Sequence, residues 1–448
     1  MSDYKLYMLE SRSKLLLTMK TIFNFLLLLF ILASCNETVS NKQGDETKKV
    51  YSKPSISENK LYDSYKPENL KLPNVLFVVI DAHADSKLAI KNFRWAAEQY
   101  GFHVIALNNV KNNDQKYEQH IQQGISQAKD DLQLDPKHIF LAGFSGGARM
   151  ALNYAFNKAI QGVIMMGAGP GKQSVSFPFP LVMITGTHDF NFIEQYYPIT
   201  SSQVDNPNLI ALHWQGKHEW PDSSTIADAV SFILYTSSAI DEQNIERIPQ
   251  LEKVKQAQKE NNLFLYFKGL ELISKTSTGK MHEKTRESLA AIQQSTQAQQ
   301  YFNRFNTTLN SEQKRNQIYM QDLDDKDLNW WKAAISKLDN LIASEKGMEA
   351  DSYARTRAYL GILLYSRTSA AVSGRGNAKL LPKYLEVYEY LEPENADLFF
   401  FKAVYAHALG NTEEAIINLK KALKYGFIDD EKLHQSFPQV IISAAQKP

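Results

Sequence analysis

The stretch HIFLAGFSGGARMAL, His138–Leu152, holds the residues whose reading decides the fold. Ile139, Phe140 and Leu141 predict a short buried strand, Gly143-Phe144-Ser145-Gly146-Gly147 a sharp turn, and the small residues beyond it a helix. G-x-S-x-G in a strand–turn–helix setting lifts the serine Oγ above the sheet, and glycines let the backbone pass that tightly. The same five residues can also be a glycine-rich turn with a capping serine, so the serine's partners decide between the two readings.

Working outward, apolar strands alternate with helical spacing from Asn74 onward. Val75–Ile80 is a continuous apolar run suited to a strand buried on both faces, and Leu88–Tyr100 has helical periodicity. His103–Leu107 reads as a second strand and Tyr117–Leu132 as a helix. Val163–Gly167, Leu181–Thr185 and Leu209–Trp214 read as further strands, and Ile226–Thr236 as a closing helix. This pattern implies a doubly wound, mostly parallel α/β sheet, with its site at the carboxyl ends of the strands.

A serine needs a base, and the base needs an orienting acid. Asp189 follows the strand PLVMITG in Thr187-His188-Asp189, and His218 follows the last strand in Gly216-Lys217-His218-Glu219-Trp220. Ser145, Asp189 and His218 thus stand in the order serine, acid, histidine, each just past a strand. His188 is the competing base and His213 reads as a core histidine. Glu194 and Asp205 are the substitute acids. For the oxyanion hole, Gly146 supplies one amide and Ala84, in Asp81-Ala82-His83-Ala84-Asp85, is expected to supply the second. His83, Asp85 and Trp220 are candidate substrate contacts, with Asp85 otherwise capping the helix that follows.

These motifs resemble the α/β-hydrolase superfamily over residues 74–238, above all its small esterases: dienelactone hydrolases, polyhydroxyalkanoate depolymerases and carboxylesterases. The resemblance implies ester hydrolysis through an acyl-serine intermediate, with no metal or cofactor. Ala84 replaces a frequent glycine, Lys217 another, and the first hairpin of that fold is not evident. Almost no lid lies between Gly169 and Phe179, which suggests an open cleft for a soluble or larger ester.

The rest of the 448 residues bounds the setting. A net charge of +1 gives no reason to expect nucleic acid as partner. The single cysteine, Cys35, excludes an internal disulfide framework. It closes an apolar run, Thr21–Ile31, through Leu32-Ala33-Ser34, which resembles the lipobox of bacterial lipoproteins, with Met19 the better start. That resemblance implies a lipidated Cys35, export, and anchoring at the cell envelope. Residues 36–72 are polar and turn-rich and read as a disordered tether.

The hydrolase-like domain is expected over 73–240 and an all-α domain over 241–448. Within the latter, 396–427 resembles a tetratricopeptide repeat through Phe399, Ala403, Leu409-Gly410, Glu414-Ala415, Leu419 and Ala422. Leu360-Gly361 suggests an earlier repeat turn, stretched beyond the usual ~34 residues by a loop at 373–377. Such helices would bind a protein partner or buttress the hydrolase domain, and Trp330, Trp331, Phe399 and Phe400 read as core. Two functions follow: an envelope-anchored serine esterase acting on a small or glycan-linked ester, or a non-catalytic scaffold that uses its repeats.

Overall fold

The computed structural model describes residues 55–112, 114–170, 177–195, 206–427 and 429–447. Cys35, the apolar run before it, Asp205 and most of the short lid segment lie outside them. The described residues form two compact units. One runs through Gly186 and resumes over Glu194–Phe302; the other comprises Thr187–Ile193 and the chain from Asn303.

The first unit holds one eight-stranded sheet. Its strands are β1 (Ser55–Glu58), β2 (Tyr62–Lys66), β3 (Leu72–Ile80), β4 (Phe102–Leu107), β5 (His138–Phe144), β6 (Gly162–Met166), β7 (Leu181–Gly186) and β8 (Leu209–Trp214). They lie in the order β1-β2-β4-β3-β5-β6-β7-β8. Strands β3 to β8 are parallel, while β2 pairs antiparallel with both β1 and β4. That order, with a serine turn leaving β5, is the α/β-hydrolase fold.

Helices α1 (Ser86–Tyr100), α2 (Tyr117–Asp131), α3 (Gly146–Ala155) and α4 (Ser223–Thr236) cover the sheet. Strand β3 shows why its run is apolar throughout. Val75, Phe77 and Val79 enter one core with residues of α1 and α4, whereas Leu76, Val78 and Ile80 enter the other with residues of α2 and α3. Each such side chain contributes roughly 1.5–3 kcal/mol by leaving water.

Two expectations about the ends of this unit are corrected. The segment expected to be a tether contains β1 and β2, the hairpin that the sequence did not reveal. Tyr62 and Tyr65 are buried, and Tyr62 Oη donates to Asp131 at 2.9 Å. Two tyrosines and a short antiparallel ladder suffice to order it, which composition averaged over a charged stretch conceals. At the other end, α5 (Arg247–Lys259), α6 (Leu263–Lys275) and α7 (Gly279–Gln294) belong with the sheet, so the division falls at 302/303 instead of 240. Leu272 joins the sheet core, and Lys275 Nζ donates to the carbonyls of Asn206 and Leu209 at 3.1 and 2.7 Å. Helical periodicity identifies a helix without saying what it packs on.

The second unit is helical. After α8 (Thr296–Asp325) come α9 (Leu328–Ser344), α10 (Met348–Val372), α11 (Leu381–Leu391), α12 (Ala396–Ala408), α13 (Thr412–Lys424), α14 (Asp430–Ser436) and α15 (Gln439–Gln446). Trp331, Phe399 and Phe400 are core residues and Trp330 packs against them. Helices α12 and α13 pack as a hairpin: Gly410 turns at φ +78°, Asn411 caps α13, and Ala403, Ala415, Leu419 and Ala422 are fully buried. The earlier repeat turn is not there. Leu360 and Gly361 lie mid-helix in α10, where Leu360 is a core residue and Gly361 has the Glu392 side chain against it. Among the described residues, no helix is long and apolar enough to cross a membrane.

Candidate active site

Ser145 sits where β5 gives way to α3. Its backbone is at φ 54°, ψ −119°, which strains any residue except glycine. Three features hold it there. Ser145 N donates to Met166 O at 2.8 Å, and Ala148 N donates to Ser145 O at 3.1 Å. Gly143 and Gly147 permit the close pass, since a Cβ on Gly143 would lie 2.4 Å from the Gly147 backbone and one on Gly147 would lie 2.2 Å from Ile80 O. The serine is thereby presented at the carboxyl edge of the sheet.

His218, in the loop after β8, places Nε2 3.0 Å from Ser145 Oγ. Its ring packs against Phe144 with centroids 5.0 Å apart. Gly167, at φ +64°, leaves room for both rings, because a Cβ there would stand 2.7 Å from Phe144 Cε2 and 3.2 Å from His218 Cε1. Phe144 in turn stacks on Trp220 at 5.4 Å. Within the first unit, the nucleophile and base read from the sequence therefore come together at hydrogen-bond distance. A neutral imidazole there can accept the hydroxyl proton as Oγ attacks a carbonyl.

The loop after β3 departs from expectation. Buried Asp81 organises it: Oδ1 accepts from the amides of His83 (2.7 Å) and Asp85 (3.3 Å), and Oδ2 accepts from Trp220 Nε1 (3.1 Å). Ala84 N is consumed in a turn, donating to Asp81 O at 3.1 Å, so it is not available to an oxyanion. Ala84 does adopt φ +62°, the conformation for which glycine is usual. At this loop and at the elbow, the amides of Ala82 and Gly146 have no acceptor among the described residues. Asn112 links them, its amide donating to Ala82 O at 2.8 Å while its side-chain oxygen lies against Gly146.

Other candidates are reassigned by their contacts. Asp85 caps α1, accepting from Leu88 N at 2.9 Å. Trp220 spends its N–H on Asp81, and the His83 side chain is 81% exposed. Glu194 pairs with Arg149 at 2.7 Å and is not a spare acid. His188 is paired with Asp351 at 2.8 Å, and His213 lies in β8 with its ring 4.8 Å from that of Phe264. Asn112 was missed; its signal was the polar run Asn108–Asp114 directly after β4.

Asp189 belongs to the second unit, in the segment that follows β7 directly. It is 1% exposed, and Oδ1 accepts from Asn191 N at 2.8 Å. Among the described residues no group of His, Cys, Asp or Glu has the geometry to hold a metal ion.

No family model matches this sequence, and no curated protein does. Solved structures do align with it. The fluorophosphonate-binding serine hydrolase F of Staphylococcus aureus is 12% identical with a TM-score of 0.34, covering 41% of this chain and 99% of its own. Est1E of Butyrivibrio proteoclasticus is 12% identical with a TM-score of 0.31, covering 42% and 100%. A lidless α/β serine hydrolase of Xanthomonas campestris is 16% identical with a TM-score of 0.30, covering 42% and 94%.

Proposed function

We propose that the chain is a serine hydrolase acting on carboxylic esters through an acyl-serine intermediate. The observation that carries this reading is the 3.0 Å approach of His218 Nε2 to the Oγ of a serine held at a strained elbow. In this mechanism Ser145 attacks the ester carbonyl while His218 takes its proton and then delivers it to the leaving alcohol. Water, activated by the same imidazole, then releases the acid and regenerates the serine. Asp189 is the proposed acid that orients His218, on the ground of its chain order and its place just past β7. The proposed oxyanion donors are the amides of Gly146 and Ala82. On the strength of its resemblance to a lipobox, Cys35 is proposed to be the lipidated anchor of a bacterial envelope enzyme.

The test is a panel of p-nitrophenyl esters offered to the chain from residue 50 onward. A rapid burst of one p-nitrophenol per active site, with an acyl adduct mapped by mass to Ser145, is expected. Folded protein that turns over no ester and forms no adduct would contradict this reading and favour the non-catalytic scaffold.

A further inference from the structure

We infer that Arg355 and Glu312 are a positioning pair for the segment that carries Asp189. The inference rests on the proposed role of Asp189 as the acid.

Within the second unit, Thr187–Ile193 packs with α8 and α10. Glu312 of α8 and Arg355 of α10 are both buried, 0% and 2% exposed. Arg355 Nε donates to both carboxylate oxygens at 3.0 Å, and Nη2 donates to Oε2 at 2.6 Å. That leaves Nη1, which donates to Thr187 O at 2.8 Å. The guanidinium also lies over the Phe192 ring, 4.4 Å from its centroid, and Phe192 meets Phe305 of α8 edge-on at 6.2 Å. Beside this, His188 Nε2 and Asp351 Oδ1 of α10 are 2.8 Å apart. Residues 187, 188 and 192 are thus each fastened to a helix, and Asp189 lies between the fastenings.

A buried ion pair is a poor source of stability by itself, because desolvation offsets its attraction and apolar residues could tie two helices equally well. What an apolar pair could not do is hold a loop carbonyl. Arginine's fixed fork can satisfy Glu312 and still direct a donor at Thr187, while Glu312 keeps the guanidinium in the one orientation that serves both. The consequence is rigidity of the backbone two residues before the Asp189 carboxylate.

The experiment compares four proteins: the parent, Glu312→Leu/Arg355→Met, Asp189→Asn and the triple variant. Removing both partners leaves neither Arg355 nor Glu312 as a lone buried charge. The readouts are kcat and KM for p-nitrophenyl acetate and the rate at which a fluorophosphonate probe labels Ser145. The pair variant is expected to lose about 10- to 100-fold in kcat and labelling rate with little change in KM, as for a displaced catalytic group. The triple variant is expected to be no slower than Asp189→Asn alone, since residues that act as a unit are not additive. Losses that multiply in the triple variant would mark a merely structural pair and overturn the inference. Parent-like kcat in the pair variant beside a slow Asp189→Asn would overturn it while leaving the acid assignment standing. A parent-like Asp189→Asn would remove the acid assignment and the inference with it. Arg355→Lys keeps Glu312 neutralised and takes over the test if the double variant does not fold. An intermediate kcat is expected of it, and an unchanged one overturns the inference.

Discussion

The corner that joins Ser145 to His218 and the segment that carries Asp189 are fixed in different ways. At the serine, the restraints come from within a few residues of the elbow or from adjacent strands: Gly143, Gly147, Met166 O and the Phe144 ring. At Asp189 the restraints outside the segment come from Glu312, Asp351 and Arg355, more than a hundred residues later in the chain. A nucleophile elbow is therefore a local device that a short motif can encode. The segment that carries Asp189 is held by tertiary structure, and its support could be altered by substitutions far from the motif.

Four substitutions or conditions break or sharpen that comparison. Ser145→Ala removes the proposed nucleophile and leaves the backbone alone, so kcat for p-nitrophenyl esters is expected to fall by roughly 10⁴–10⁶ with an unchanged melting temperature. Gly147→Val attacks the local device itself. Its Cβ would meet Ile80 O at 2.2 Å, and a loss of about 3 kcal/mol or more in urea denaturation is expected, against near-neutral substitutions at exposed positions of α13.

The third concerns the sheet that carries the elbow. Burial in β4, with Lys66 nearby, pushes the His103 imidazole down to about 4 from its ordinary 6.5. The unfolded chain then binds that proton more readily than the folded one. The contribution is complete above pH 6.5 and is lost as pH falls toward 4, at most about 3 kcal/mol. The urea midpoint of the parent should fall over that window, and less steeply in His103→Gln. The smallest effect is expected for Trp220→Phe, which keeps the stack on Phe144 but deletes the indole bond to Asp81. About 1–2 kcal/mol of stability should go, with a several-fold drop in kcat as the loop after β3 loosens.

The sequence displayed the parallel strands because their runs are apolar on both faces, and it displayed Ser145 and His218 because each follows such a run. It concealed β1 and β2, which are held by the antiparallel ladder and the burial of Tyr62 and Tyr65, and it placed Ala84 in a role that its own turn forbids. Ala84 stands where the resemblance implies a glycine. The pattern shows the need for φ > 0 there, but not that the amide is already bonded to Asp81 O. The hidden parts share one trait: Arg355, Glu312 and Asn112 act through contacts between stretches with no common periodicity. Leu360-Gly361 failed for the converse reason, since a dipeptide that marks a turn in one helix pair is ordinary packing inside α10.

The central claim is that Ser145 is an activated nucleophile because His218 stands beside it. Incubating the chain from residue 50 onward with a fluorophosphonate probe, then mapping the adduct by mass, tests it most directly. Stoichiometric labelling at Ser145 that disappears in His218→Ala is the predicted result. Folded protein that takes up no label, or that is labelled equally well in His218→Ala, would contradict it.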